Sequence, residues 1–333
     1  MLTRWLAASL LVAAISGCAP VPDPGPAGTV APPTLALAPS PSVAAAALAD
    51  HSIDSWRPWP SVGPAAADTA KRPAPRSLPA LRDGVVPILY YHRVQAVPRG
   101  FASWSQSRRR EFLTYDTLPS AFVAQLDWLL DHGYTTILPR QLAAHWDHGT
   151  PLPRRPVILT FDDGSATWTS VVLPALRARG MIAEFYLTLD AIRAKTIRWS
   201  QVRALAAAGN GIGAHDVHHV QLAGVPGRRD VSRRVMWHEI HDIRAVIKQH
   251  VGVAPDSMAY VGGGFDRALV DLVRRAGYTT ARSIRRGIHQ RPSGRFELSV
   301  VRVGSRDDVA DVVSERLVGS LPTFTRRMAG TLR

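Results

Sequence analysis

The 333-residue chain holds one cysteine, Cys18, so neither an internal disulfide nor a cysteine-rich zinc site can form within it. Acidic residues are also scarce: 26 Asp and Glu stand against 40 Lys and Arg, a formal net charge of +14. Such a balance favours polyanions such as nucleic acid, anionic lipid or acidic glycan. No nucleic-acid-binding motif accompanies the charge, so no nucleic acid is expected as a partner. The apolar run near the start, Trp5 to Ile15, is too short to cross a bilayer comfortably as a permanent helix. What the chain does have is length for one large domain or two small ones, and 46% hydrophobic residues, enough for a packed core.

Arg4 followed by that short apolar run reads as a secretory signal. Its end, Ile15-Ser16-Gly17-Cys18, resembles the bacterial lipobox, which implies cleavage before Cys18 and lipidation of its thiol. Residues 1–18 are thus expected to be a lipoprotein signal peptide. Ala19 follows, and no Asp stands there to direct retention in the inner membrane. The expected location is the outer membrane, with a lipid anchor and the protein facing the periplasm. Residues 19–80 are rich in Pro and Ala, as in Val21-Pro22-Asp23-Pro24-Gly25-Pro26, and read as an extended tether. Trp56 and Trp59 are unusual in a tether and are expected to pack on the domain. Residues 306–333 form a basic tail.

Between them, residues 81–305 alternate strand and helix signals. Val85 to Tyr91, Thr135 to Leu138, Pro156 to Phe161, Ala183 to Leu187, Gly211 to Ala214, Asp256 to Val261, Thr279 to Ser283 and Ser299 to Val303 read as strands. Helical spacing fills Pro119 to His132, Pro139 to His148, Thr169 to Arg179, Ser200 to Ala208, Arg228 to Val251 and Asp266 to Ala276, several stopped by Gly. This order predicts an α/β fold with a parallel sheet or barrel, whose active residues gather at the carboxyl ends of strands. His92, Asp162, Asp163 and His215 all follow predicted strand ends.

Asp162-Asp163-Gly164, taken alone, reads as a plain turn before it reads as a reactive carboxylate pair. His215 and His219 are four apart, in His215-Asp216-Val217-His218-His219, and on a helical turn would share one face. Two imidazoles and one carboxylate form a facial metal-ligand set with open positions for water and substrate. A second carboxylate could take the water's proton. A solvated His-rich loop is the alternative.

Together these features resemble the polysaccharide deacetylase family (carbohydrate esterase family 4, the NodB-like domain) over roughly Val85 to Val303. Thr160-Phe161-Asp162-Asp163-Gly164 is similar to the first family motif, and His215 to His219 to the second, with Asp216 where Ser or Thr is usual. Leu89-Tyr90-Tyr91-His92-Arg93 resembles the opening of the poly-N-acetylglucosamine deacetylases of biofilm systems. The resemblance implies a distorted (β/α) barrel, with Asp162 as general base. It implies Asp163, His215 and His219 as ligands of one divalent metal, zinc first, with cobalt, nickel or iron as alternatives. The activity implied is removal of N-acetyl groups from an acetylated polysaccharide containing N-acetylglucosamine. An O-acetyl glycan esterase and a weakly catalytic glycan-binding lipoprotein are the other readings.

The third motif departs from the family. In Met258-Ala259-Tyr260-Val261-Gly262-Gly263-Gly264 the Arg position is Ala259, the Pro position is Val261 and the aromatic position is Gly262. The N–H of Gly262 is the expected oxyanion donor, with Tyr260 and His92 beside the substrate. No Arg to orient Asp162 is visible in that motif. His289 is not in the expected context for a general acid and reads as a surface loop residue, which leaves His92 as the candidate near the site.

Overall fold

In a computed structural model of the chain, residues 80–224 and 231–303 are described. Cys18, the Pro/Ala-rich segment with Trp56 and Trp59, and the basic tail lie outside them.

Seven runs of small, β-branched and aromatic residues form strands buried on both faces, as parallel strands covered by helices require. They are β1 (Ile88–Tyr91), β5 (Pro156–Asp163), β6 (Glu184–Leu187), β7 (Gly211–Ala214), β8 (Ser257–Ala259), β9 (Thr280–Arg286) and β10 (Leu298–Arg302). From β5 to β10 each pairs in parallel with the next, and β1 pairs with both β5 and β10, which closes a barrel. The architecture is therefore the expected (β/α) barrel, closed by seven strands. Three short strands lie outside it. β4 (Thr135–Thr136) pairs with the start of β5, while β2 (Arg93–Val94) and β3 (Asp116–Thr117) pair with each other.

Around the barrel run α2 (Pro119–Asp131), α3 (Pro139–His148), α4 (Leu173–Arg177), α6 (Trp199–Ala207), α7 (Arg233–Val251) and α8 (Arg267–Arg275). Their starts and stops follow local chemistry. Ser232 and Asp266 accept backbone N–H groups from Val235 and Leu269 with their side chains, and Gly149 and Gly252 end helices in left-handed geometry. α6 starts at Trp199, one residue before the expected Ser200, with Arg198 as its cap, and α7 starts at Arg233 rather than 228 because Ser232 caps it. Two helices carry no readable signal. α1 (Gln106–Tyr115) is polar all round with only Phe112 buried, and α5 (Leu189–Arg193) is five residues long. A π-helical turn, Trp168–Val172, leads into α4.

Alternation along the strands makes two cores. Outward side chains such as Leu89, Tyr91, Leu159, Phe161 and Phe185 pack against the helices; the rings of Tyr91, Phe161 and Phe185 stack about the strands at 5.0–5.1 Å. Inward, Val86, Ile88, Ile158, Leu298 and Val300 pack with Ile137 and Leu142 and fill one end of the barrel. Moving along β5, the inward side chains change from Ile158 to Thr160 and then to Asp162. The other end is therefore polar, and it is the carboxyl end of the strands.

Candidate active site

Asp162 and Asp163 end β5. Asp162 is 3% exposed and continues the inward alternation of Ile158 and Thr160, opposite Tyr186. Asp163 adopts a left-handed φ of 80°, and this break in strand geometry turns its carboxylate toward the same mouth. The turn is tied down around it. Thr188 donates to the carbonyl of Asp163 through N and Oγ1 (3.3 and 3.0 Å), and Thr196 Oγ1 donates to the carbonyl of Gly164. Gly164 has φ 112°, and a Cβ there would stand 2.5 Å from that of Ala191, so the motif needs glycine.

His215 and His219 sit on a loop after β7, not on a helical turn. Asp216 and His219 take left-handed φ values of 65° and 51°, which brings the two rings to 5.1 Å between centroids. His215 Nδ1 is 2.8 Å from the carbonyl of Ala259, so it carries the proton and leaves the Nε2 lone pair facing the mouth. That Nε2 lies 3.5 Å from Asp163 Oδ1 and 3.9 Å from Asp162 Oδ2; His219 Nε2 lies 3.2 Å from Asp163 Oδ1. One donor atom each from Asp163, His215 and His219 falls within 4.8 Å of the others. Asp163 Oδ1 is buried and makes no hydrogen bond of good geometry. A buried carboxylate oxygen left without such a partner between two imidazole nitrogens fits a divalent cation, and the donor set of two nitrogens and one oxygen suits zinc or its neighbours. His218 does not join this set. Its Nδ1 donates to Glu239 Oε1 on α7 at 2.7 Å.

Electrostatics separate the groups. Burial lowers the pKa of His215, outweighing the attraction of Asp162 and Asp163, so its ring is held neutral as a ligand must be. Burial pushes Asp163 up, but contact with His219 and the nearby His215 and His92 outweigh it and hold the carboxyl well below the usual carboxylate range. Contact with Asp163 raises His219 against the opposing effect of its burial. Asp216 is buried beside Glu239, and burial first, then that neighbouring charge, push its carboxyl well up.

The absence of an orienting arginine inferred from Ala259 is corrected by Arg282. Arg282 lies on β9, is 1% exposed and donates through NH2 to Asp162 Oδ1. Its guanidinium lies between the rings of Tyr90 and Tyr186, 5.0 Å from each centroid. The sequence signal for it is an arginine inside Thr280-Ala281-Arg282-Ser283, the first four residues of the strand, otherwise small and all buried. A buried cation there must be paired.

His92 follows β1 at the same mouth. Its ring contacts Tyr90 and Tyr115, Trp168 Nε1 donates to its carbonyl at 3.0 Å, and burial lowers its pKa against the pull of Asp162 and Asp163. Gly262 lies in the 3₁₀ turn Val261–Gly263 after β8, exposed, with φ 62°. A Cβ there would meet Gln221 Oε1 at 2.6 Å. Tyr260 is not brought to the mouth. Next to the inward Ala259, its ring points outward into the core and stacks on Phe265, and burial pushes its phenol far above its usual range. His289 is exposed and bridges Val85, ahead of β1, at the opposite end of the barrel from His92.

Residues 149–281 match the polysaccharide deacetylase family model. YxkH of Bacillus subtilis (strain 168), named as a polysaccharide deacetylase, is 24% identical over 183 residues, 55% of this chain and 63% of that protein. A 59-residue stretch is 39% identical to the poly-β-1,6-N-acetyl-D-glucosamine N-deacetylase of Escherichia coli (strain K12), covering 18% of this chain and 9% of that one. The chain thus spans less than two thirds of the length of either relative. The structure of the Streptococcus pyogenes deacetylase PplD in complex with acetate superposes with a TM-score of 0.61 at 18% identity, over 72% of this chain and all of that one, and shows the shared fold. The segment 149–281 is thus similar to the polysaccharide deacetylase family, and Asp162, Asp163, His215 and His219 all fall inside it.

Proposed function

We propose that this protein is a metal-dependent deacetylase that removes N-acetyl groups from an exported polysaccharide containing N-acetylglucosamine. The observation that carries the reading is the convergence of Asp163, His215 and His219 beside an Asp162 held by a buried arginine. The short match to the E. coli enzyme supports the N-acetylglucosamine polymer as substrate.

Asp163, His215 and His219 would hold the divalent ion. When bound, such an ion lowers the pKa of water from about 16 to roughly 7 and polarises the acetyl carbonyl. The chain's own groups do the rest. Asp162 takes a proton from the attacking water, its other oxygen fixed by Arg282, so that the accepting oxygen stays aimed at the mouth. The backbone N–H of Gly262 donates to the oxyanion as the acyl carbon becomes tetrahedral. His92 receives the proton that Asp162 took from water and gives it to the leaving amine as the C–N bond breaks, so the proton is conserved. The rings of Tyr90 and Tyr115 hold His92 in place and its surroundings keep it neutral at rest.

The test is metal content and acetate release together. The purified protein should carry one divalent ion and release acetate from N-acetylglucosamine oligomers, and a chelator should stop release reversibly. Release from O-acetylated glycans alone would favour the esterase, and metal-independent binding without release would leave a glycan-binding protein. Cys18 is proposed to be the lipid anchor in the outer membrane. Cys18→Ala should block lipidation and free the protein from membranes, and unchanged membrane association would refute this.

A further inference from the structure

We infer that Glu239 is a positioning residue that shapes the metal-ligand loop, and that His218 is its clamp and not a ligand. The inference rests on the metal-dependent reading of the site, but concerns a residue on a different element. Glu239 lies in the second turn of α7, beside Ile240 and Ile243 and on the helix's buried face, and is 6% exposed. A carboxylate in that position must be satisfied by several donors to be tolerated. Its donors all come from the loop between the two ligands. Oε2 accepts from the backbone N–H of Val217 at 3.0 Å and of His218 at 2.9 Å, and Oε1 accepts from His218 Nδ1 at 2.7 Å.

These bonds explain how a five-residue loop carries two imidazoles to one point. Asp216 and His219 are non-glycine residues in left-handed geometry, one on each side of Val217-His218. That conformation needs outside support to persist. Glu239 supplies it from one side. From the other, the N–H of Asp190 donates to the carbonyl of Val217 at 3.0 Å. His218 turns outward onto Glu239 because Nδ1 binds there, and His219 is left to turn inward, with Nε2 3.2 Å from Asp163 Oδ1. Without Glu239, the N–H groups of Val217 and His218 lose their acceptor and the loop loses the contact that distinguishes His218 from His219.

The experiment uses the full chain. Zn²⁺ affinity is measured by competition with a chelating dye, and Co²⁺ absorption reports ligand geometry, for Glu239→Ala, Glu239→Gln, His218→Ala and His219→Ala. Ile240→Val, at the neighbouring core position, controls for mild destabilisation alone. Glu239→Ala should weaken Zn²⁺ binding about 10–100-fold, the scale seen when groups supporting metal ligands are removed, and should alter the Co²⁺ bands. Glu239→Gln should fall between it and the wild type. His218→Ala should stay within a few-fold of wild type, and His219→Ala should lose binding. Wild-type affinity and bands in Glu239→Ala would overturn the inference, as would loss of binding in His218→Ala as severe as in His219→Ala, or the same band changes in Ile240→Val. Should Glu239→Ala not fold, Glu239→Gln decides: weakened binding in a folded protein supports the role and wild-type binding overturns it. Failure of the wild type to bind Zn²⁺ or Co²⁺ would instead count against the metal-dependent function itself.

Discussion

Replacing Arg282 by alanine removes a cation that is 1% exposed and leaves Asp162, 3% exposed, without its ion-pair partner. His215 Nε2 is the nearest remaining basic atom, 3.9 Å away, and its ring is held neutral. Breaking a buried pair by removing one partner costs about 3–5 kcal/mol, because the other charge stays buried. For a domain of this size each kcal/mol moves the melting temperature by roughly 2–4 °C, so the fall should be roughly 6–20 °C. The two tyrosine rings flanking the guanidinium lose their cation as well. Activity should separate from metal binding. Arg282 touches none of Asp163, His215 and His219, so Zn²⁺ affinity should remain within a few-fold, while kcat falls by about 10²-fold as Asp162 loses its fixed orientation. Arg282→Lys keeps the charge without the planar fork and should recover stability more than rate. Differential scanning fluorimetry, dye competition and acetate-release kinetics at saturating metal measure the three quantities. A variant with wild-type kcat would refute the orienting role. One that loses metal binding as fully as His219→Ala would show that Arg282 serves the ligands instead.

His92→Ala should lower kcat by about 10²–10⁴-fold with metal affinity unchanged, as expected for loss of a proton donor; unchanged kcat would assign the acid elsewhere. Glu184→Gln tests a buried carboxyl that the mechanism does not use. Burial, then the charge of Asp256, push Glu184 well above its usual pKa, despite Arg140. The unfolded chain therefore loses this proton near pH 4.5 while the folded protein keeps it, so wild-type stability falls as pH rises above that point. Glu184→Gln removes the effect, and its melting temperature should gain on wild type as pH rises above 4.5; a difference that does not change with pH there would refute a raised Glu184.

Half of the site was legible in the sequence because its positions follow from short-range rules. Pro156 to Phe161 is a continuous apolar run, which reads as a buried strand, so Asp162 and Asp163 had to fall at its end. The strand before His92 and the helix ending at Gly252 were readable in the same way. What could not be read depends on long-range pairing. Placing β1 between β5 and β10 closes the barrel and brings His92 to the mouth, but no local pattern specifies it. Arg282 meets Asp162 across 120 residues of chain. His215 and His219 were read at helical spacing, whereas left-handed geometry at Asp216 and His219, held by an acceptor on α7, produces their convergence. Tyr260 was assigned to substrate by its place in a motif, while strand alternation sends its ring into the core.

Acetate release from N-acetylglucosamine oligomers by zinc-loaded wild-type protein and by zinc-loaded Asp162→Asn tests the central claim most directly. The substitution is nearly isosteric and removes the base without removing a metal ligand. The account predicts release by the wild type, at least 10²-fold less by the variant, and equal zinc content in both. Equal release by the two proteins, or none by a zinc-loaded wild type on any N-acetylated oligomer, would contradict it.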